Sequence, residues 1–347
     1  MTQDNPPKEF HRGPQMTVQM QMTAEQYAAM KEWSASIPTL HFLDICVVNA
    51  TKLSAAALQN DARKASYVSR LQSLDRPQHC FSYLCALIEK VSDTRGSASD
   101  AELEEQVLND MTALRAFFKS ARVYEPDDFV ISYLRELRRA PHELARPGYL
   151  SFLETINNQS GLKDPVAPAL RFQKAAEILR EADALSISRQ HPVVLLTLAC
   201  LYGNQAARKL MKFKADPQKF NAENALADIM AISRFASLKL EVEHIGRQGG
   251  SYMRSEFLTD DDGLVGVFKC FEAKAVKHEQ KGDAYESRIE VSVKLEELLT
   301  DLATKRRVTV SHTEGDTEQG PDEYEQILNL LVQAPEGASE PGGAFET

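Results

Sequence analysis

Acidic residues end two short apolar runs of this sequence, at positions where they could share one site. The runs are Thr39-Leu-His-Phe-Leu-Asp44 and Ser255-Glu-Phe-Leu-Thr-Asp260, and the second continues into residues 261–263, two aspartates and a glycine. Such runs are typical of buried strands in a parallel sheet. Because open α/β sheets bind ligands at the carboxyl ends of their strands, we expect both acidic ends in one site. The alternative is local: Asp44 caps a helix, and the aspartates form a turn in which Gly263 supplies unusual backbone angles.

Two further carboxylates lie in segments whose apolar spacing predicts helices. Glu89 is at the rim of the apolar face of residues 81–90, and Asp228 lies within residues 221–232, where Glu223 is the alternative acid. Partly buried acids are unfavourable unless they are paired or bind a cation. Four acids converging on one point would repel one another, and a divalent metal would relieve that repulsion. These residue types predict a site for Mg²⁺ or Mn²⁺, which can activate water and neutralise the leaving oxygen of a phosphodiester.

The order of these acids resembles the PIN-domain family of metal-dependent ribonucleases. The matching features are Phe-Leu-Asp ending a first strand, Leu-Ile-Glu ending a helix, a helix with an inward Asp, and a strand reading Phe-Leu-Thr-Asp-Asp-x-Gly-Leu. The resemblance implies catalytic residues Asp44, Glu89, Asp228 and Asp261, with Asp260 as a further metal ligand. It also implies hydrolysis of RNA by a metal-activated water, leaving 5′-phosphate and 3′-hydroxyl ends, in a bacterial toxin or phage-defence effector.

The sequence departs from the family pattern in two respects. The first Asp is followed by Ile45-Cys46 rather than Thr-Asn or Ser-Asn, which removes a hydroxyl that could help to hold a metal-bound water. The first and fourth acids are also too far apart for the usual domain, which requires a helical insertion. The missing hydroxyl favours a second hypothesis, a catalytically silent helical interaction protein on a PIN-like scaffold. A structure-specific DNA nuclease is a third, since the metal chemistry does not distinguish ribose from deoxyribose.

Basic residues near the predicted mouth of the site are candidates for binding nucleic-acid phosphates. They follow the first strand, lie on the predicted helix of Asp228, or flank the Gly249-Gly250 loop, and they are Lys52, Arg234, Arg247 and Arg254. The ordinary alternative for each of them is a solvated surface charge.

Helical spacing dominates the rest of the chain and predicts an α/β fold: a small parallel PIN-like sheet flanked by helices, with an extensive helical elaboration. The predicted nuclease core comprises residues 37–92 and 191–275, and the insertion comprises residues 93–190. The predicted flanking segments are an N-terminal extension that is partly mobile, a C-terminal helix and an acidic mobile tail, over residues 1–36, 276–310 and 311–347 respectively. Within the tail, residues 324–332 have the spacing of a short amphipathic helix.

Charge and cysteine content narrow the class of protein. Most of the net charge of −10 belongs to residues 311–347, which contain nine Asp or Glu and no Lys or Arg, so the remaining chain is nearly neutral and compatible with a nucleic-acid partner.

The five cysteines form no CxxC pair, which argues against a disulfide framework. The longest apolar run, over residues 193–202, is too short to span a bilayer, and no export signal is evident at the start. We expect a cytoplasmic protein without a membrane partner, which binds RNA in preference to DNA. A protein regulator or complex partner is a further candidate partner.

Overall fold

Four parallel strands form the sheet that carries the acidic residues. They are β1 (Thr39–Leu43), β2 (His79–Ser82), β3 (Arg122–Val123) and β4 (Arg254–Leu258), in the spatial order β3-β2-β1-β4. The computed structural model describes residues 22–92, 99–139, 146–281, 284–302 and 322–332. Leu40 pairs with Ser255 and Leu43 with Leu258, so β1 and β4 are neighbours in parallel register. This confirms the predicted strands and the small parallel sheet.

Every residue of β1 and β2 is buried, as expected for parallel strands covered on both faces. The helix predicted over residues 81–90 is wrong at its first residues, because Phe81 and Ser82 belong to β2 and the helix begins at Leu84. The apolar character of the strand runs directly into the helix, so composition alone does not separate them.

Helices make up most of the described chain outside this sheet. In chain order they are α1 (Ala24–Ser36), α2 (Ile45–Ala50), α3 (Ala55–Gln59), α4 (Ala62–Ser73), α5 (Leu84–Ser92), α6 (Asp100–Phe117), α7 (Asp127–Arg139), α8 (Arg146–Gln159), α9 (Pro168–Ala184), α10 (Pro192–Leu201), α11 (Gln205–Met211), α12 (Ala222–Arg247), α13 (Asp262–Phe268), α14 (Leu295–Leu298) and α15 (Glu323–Val332), with a 3₁₀ turn at Pro217–Lys219. None of these helices combines the length and apolar character that crossing a bilayer requires.

The described residues fall into two compact units. The sheet unit lies within residues 10–144 and 227–293, and the helical unit lies within residues 145–226 and 294–347. This division differs from the predicted core and insertion, because β3 pairs with β2 and the helices around it pack on the core of the sheet. Phe81 of β2 stacks on Phe118, which follows α6, with ring centroids 3.6 Å apart. The predicted insertion therefore contributes to the sheet unit itself.

The helical unit contains a break that its apolar spacing conceals. One continuous helix is predicted from Val193 to Phe213, whereas α10 ends at Leu201 and α11 begins at Gln205. Gly203 occupies the break with φ +83°, and Asn204 caps α11 by accepting a hydrogen bond from the Ala207 N–H at 2.9 Å. The Asn204 amide also donates to two backbone carbonyls of residues 297–298, which fixes the turn.

The C-terminal segments differ from prediction in one part and agree in another. The helix predicted over residues 276–310 is wrong, because β5 (Phe271–Lys281) and β6 (Ala284–Val293) form an antiparallel hairpin there. Charged residues alternate along these strands, and their number obscures the period of two. The predicted helix at 324–332 is present as α15, with Tyr324, Ile327 and Leu331 buried. Most of the N-terminal extension and the rest of the acidic tail lie outside the described residues.

Candidate functional site

Asp44 directly follows β1 and is 7% exposed. It occupies the N-cap position of α2, but its side chain makes no capping hydrogen bond. Its carboxylate instead accepts hydrogen bonds from Thr259 Oγ1 and from the Cys46 thiol, whose Sγ lies 3.1 Å away. The Asp44 side chain is therefore directed to the end of β4, and the helix-capping alternative for this residue is wrong.

The turn after β4 is joined to the end of β1 through the same groups. The Asp44 N–H donates to the Leu258 carbonyl at 3.0 Å, and the Asp260 N–H donates to Cys46 Sγ at 3.2 Å. The Asp261 N–H donates to Thr259 Oγ1 at 3.0 Å while that hydroxyl donates to Asp44. The structure thus brings together the two acidic strand ends that the sequence placed at one sheet edge.

Glu89 on α5 completes a carboxyl pair with Asp44. The two side chains are hydrogen-bonded, and the Ile45 N–H donates to Glu89 Oε2 at 3.4 Å. Burial raises the pKa of Glu89 to about 9, and the negative charges of Asp44 and then of Asp228 add to this effect. At neutral pH Glu89 therefore holds a proton, which it shares with the Asp44 carboxylate.

Asp228 and Glu223 both lie on α12 but in different surroundings. Asp228 belongs to the sheet unit and is close enough to Glu89 for its charge to oppose ionisation of that residue. Glu223 belongs to the helical unit, where its carboxylate lies 3.9 Å from the guanidinium of Arg146. Of the two alternatives, the geometry favours Asp228 as the third acid.

Asp261 and Asp260 lie at the mouth of the site and make different contacts. Asp261 accepts a hydrogen bond from the Leu264 N–H at 3.0 Å and so caps α13, a role that the sequence had suggested for Asp44. Gly263 lies within α13 and does not adopt the unusual backbone angles that the turn alternative gave it. Asp260 pairs with Arg63 of α4, whose Nη2 is 3.2 Å from Asp260 Oδ1 and also donates to the Asp260 carbonyl.

Two of the predicted phosphate-binding residues lie at the wrong end of the sheet. Arg254 begins β4 and pairs in register with Thr39, whereas Asp44 follows the last residue of β1, so the strand separates the two by roughly 16 Å. Its guanidinium donates to Thr39 Oγ1 and Ser34 Oγ instead. Arg247 ends α12, roughly 28 Å along the helix axis from Asp228. The loop after α12 leads back to the start of β4, which explains both errors.

The other two predicted phosphate ligands differ in exposure: Arg234 is buried, whereas Lys52 is exposed and pairs with a buried acid. Arg234 is buried on α12; burial raises the pKa of the nearby Cys85 thiol to about 12, and the Arg234 charge opposes that rise. Lys52 donates to the buried carboxylate of Asp110, which also accepts hydrogen bonds from Lys90 Nζ and Tyr83 Oη, each at 2.6 Å. Lys52 therefore neutralises an internal acid.

Lys52→Gln is expected to lower the free energy of unfolding by about 1 kcal/mol, because Asp110 loses one of its two cations but keeps Lys90 and Tyr83. RNA affinity should not change. Urea unfolding and fluorescence anisotropy with a labelled RNA strand measure the two quantities. Arg63→Gln is the matched comparison, since that exposed cation lies at the mouth of the site. Weaker RNA binding by Lys52→Gln at unchanged stability would instead support the phosphate-binding hypothesis.

Several residues at this edge have no signal in the sequence. Thr259 supplies a hydroxyl from the end of β4, although the family pattern led us to look for one after Asp44. Glu125 is buried after β3 and accepts a hydrogen bond from the Tyr83 N–H at 2.9 Å, so it caps the start of α5. Arg63 and Tyr67 lie on α4, which shows only an amphipathic pattern. Thr259 and Glu125 could have been found by treating every hydroxyl or acid that follows a strand as a candidate site residue. Arg63 and Tyr67 could be found only from the structure.

The described side chains at this edge offer the oxygen ligands that a hard divalent cation prefers, but they do not form a complete set of ligands. Across the described ranges, no three His, Cys, Asp or Glu side chains are placed so that they could already hold a metal ion. Asp44 and Glu89 are nevertheless two carboxyls in direct contact, with the charge of Asp228 nearby, and they share a proton that a cation could replace. Mg²⁺ and Mn²⁺ prefer such oxygen ligands, so these residues are the ones that would hold the ion.

Comparison of the chain with protein-family models, curated proteins and solved structures gave no significant match. Its function must therefore be inferred from the side chains at the sheet edge.

Proposed function

We propose that this protein is a metal-dependent endonuclease that hydrolyses phosphodiester bonds, with RNA as its preferred substrate. The observation that carries the proposal is the direct contact of the Asp44 and Glu89 carboxyls at the carboxyl end of a parallel sheet, beside Asp228 and the Asp260-Asp261 turn. Carboxyl groups buried together are unfavourable unless a proton or a cation neutralises them, and this supports a cation-binding role for the cluster.

Each residue of the cluster has a definable task in this chemistry. A bound Mg²⁺ or Mn²⁺ would supply an activated water and neutralise the leaving oxygen of the phosphodiester. Asp44 and Glu89 would hold the ion, and Asp228 would add negative charge to the site. Thr259 orients the Asp44 carboxylate through its hydroxyl, while Asp261 keeps α13 and the turn in place. Arg63 offers an exposed cation for substrate phosphates.

RNA is proposed as the substrate because the order of the acids resembles that of the PIN-domain ribonucleases, and the same resemblance supports a PIN-like sheet and 5′-phosphate products. The absence of a hydroxyl residue directly after Asp44 argues less strongly against a nuclease once the structure is known. Thr259 provides a hydroxyl that contacts Asp44 from the opposite strand, so a hydroxyl is present at the carboxylate.

A catalytically silent interaction protein is the second candidate, and two observations favour it. Asp261 serves as a helix cap, and within the described residues no set of three potential ligands is assembled. In that case the carboxyl pair would be a remnant held together by its shared proton, and the protein would bind its partners through other surfaces.

The decisive experiment incubates the full chain with labelled single-stranded RNA, hairpin RNA and single-stranded DNA in Mg²⁺, Mn²⁺ or EDTA. We expect cleavage of RNA that requires the metal and leaves 5′-phosphate ends, which ligation of the products would detect. In parallel, the melting temperature should rise on addition of Mn²⁺, because the ion binds the folded state. If no strand is cleaved and no ion raises the melting temperature, the nuclease proposal is wrong and the silent scaffold is the better description.

A further inference from the structure

Helix α4 presents a basic and a phenolic side chain to the acidic edge. Arg63 and Tyr67 are four residues apart and therefore lie on one face of the helix. Arg63 reaches both the carbonyl and the carboxylate of Asp260, and its Nη2 lies 3.9 Å from Asp262. This contact places the shared face of α4 against the turn that follows β4.

Tyr67 has a buried hydroxyl that lacks a partner. Its Oη is shielded from solvent and makes no hydrogen bond to any described residue. Tyr67 packs against the same core cluster as Cys46, and burial raises the pKa of its hydroxyl, with the negative charges of Asp260 and Asp44 adding to this effect. Tyr67 consequently remains a neutral phenol, able to donate a hydrogen bond.

An unmade hydrogen bond of this kind is unfavourable in a folded protein, and buried hydroxyls are usually satisfied. The contrast with Tyr83 is direct, because Tyr83 is fully buried and its Oη donates to Asp110 at 2.6 Å. The neighbouring Asp44 carboxylate already accepts hydrogen bonds from the side chains of Thr259, Cys46 and Glu89. The acceptor for Tyr67 is therefore to be sought outside the chain.

We propose that Tyr67 is a substrate-binding residue whose hydroxyl donates a hydrogen bond to a phosphate oxygen of a nucleic-acid strand lying along α4, with Arg63 binding the same backbone. This inference rests on the proposed nuclease function and identifies the element that receives the substrate. A phosphate oxygen is an anionic acceptor, and hydrogen bonds to charged groups are the stronger class.

Because the hydroxyl is shielded from solvent, a phosphate reaches it only after neighbouring side chains move, and Arg63, one helical turn before Tyr67, is exposed and can exchange partners. The Arg63 side chain is 61% exposed, and its pairing with Asp260 and Asp262 is open to solvent. Exposed ion pairs contribute little to stability, so a phosphate can take the guanidinium from the aspartates. The same exchange leaves Asp260 and Asp262 without this countercharge, so a divalent cation bound at the acidic edge is needed to limit their repulsion of the strand.

Tyr67→Phe tests the inference because it removes only the hydroxyl. We expect the affinity for a fluorescein-labelled 12-nucleotide single-stranded RNA, measured by anisotropy in Ca²⁺, to fall about tenfold, as for loss of a hydrogen bond to a charged group. The melting temperature in EDTA should stay the same or rise, because an unsatisfied buried hydroxyl is removed. The Mn²⁺-induced rise in melting temperature should not change.

Tyr83→Phe is the matched control, and it should lose stability in EDTA because Asp110 loses a buried donor. If Tyr67→Phe loses stability in the same way, its hydroxyl has a partner within the protein and the inference is wrong. If the parent cleaves RNA and Tyr67→Phe binds the strand as tightly as the parent, the nuclease proposal stands and only the role of Tyr67 fails. If the parent neither binds nor cleaves any strand, the proposed function fails and the role of Tyr67 falls with it.

Discussion

Asp44→Asn is expected to reduce metal-dependent RNA cleavage by about a thousandfold or more while the protein stays folded. Asn has nearly the shape of Asp and can still accept a hydrogen bond from Thr259, but it removes the charge that would hold the cation. Loss of the ion removes both water activation and neutralisation of the leaving oxygen, effects of several kcal/mol each. Single-turnover cleavage of labelled RNA in Mn²⁺ measures the loss, and circular dichroism verifies the fold.

Asp44→Asn also provides a second, independent test, which is made on the metal-free protein. Replacing Asp44 removes a buried negative charge from the cluster, so the melting temperature in EDTA should rise or stay unchanged. Asp261→Asn is the useful comparison, since Asn is also a good N-cap and α13 should keep its capping interaction. We expect it to lose activity without loss of stability, because Asn removes the negative charge that Asp261 would add to the proposed metal site. Full cleavage by both variants would show that the carboxyl cluster is not catalytic.

Glu89→Gln is expected to abolish a pH dependence of stability that the parent shows without metal. The pKa of Glu89 is about 9 in the folded protein, against an ordinary value of 4.5, so the folded state binds the extra proton between these values. Stability from this group is complete below about pH 4.5 and is lost as the pH rises through 9. By pH 7 the loss is roughly 3 kcal/mol, taken at 1.36 kcal/mol per pH unit.

Urea unfolding in EDTA at pH 5 and pH 8 measures this effect. Glu89→Gln should be more stable than the parent at pH 8 and similar to it at pH 5, whereas Glu105→Gln, on the exposed surface of α6, should follow the parent at both. Mn²⁺ should stabilise the parent more at pH 8 than at pH 6, because the ion competes with the proton for the Asp44–Glu89 pair. Parallel pH profiles for the parent and Glu89→Gln would contradict the shared proton.

The sequence predicts the two acidic strand ends because both signals are local: an apolar run ends, and an acid follows. It does not predict β2 or β3, since a four-residue strand that merges into a helix and a two-residue strand have no period of their own. Arg254 was misplaced because a residue near a strand in sequence can lie at either end of it. The partner of Lys52 and the burial of Tyr67 depend on tertiary packing of α6 and α4, which no spacing along the chain encodes.

The hydrogen bond between Thr259 and Asp44 joins residues 215 positions apart, and this separation has a consequence for synthesis. Translation proceeds at about 5–20 residues per second, so roughly 10–40 s pass between the emergence of β1 and that of β4. Until then Asp44 has neither its hydroxyl donor nor its neighbouring strand. Pairing between distant parallel strands is also intrinsically slow. A nascent chain therefore cannot assemble this cluster before β4 has been synthesised, and a protein that cleaves RNA would acquire its activity only after that part of its own message had been read.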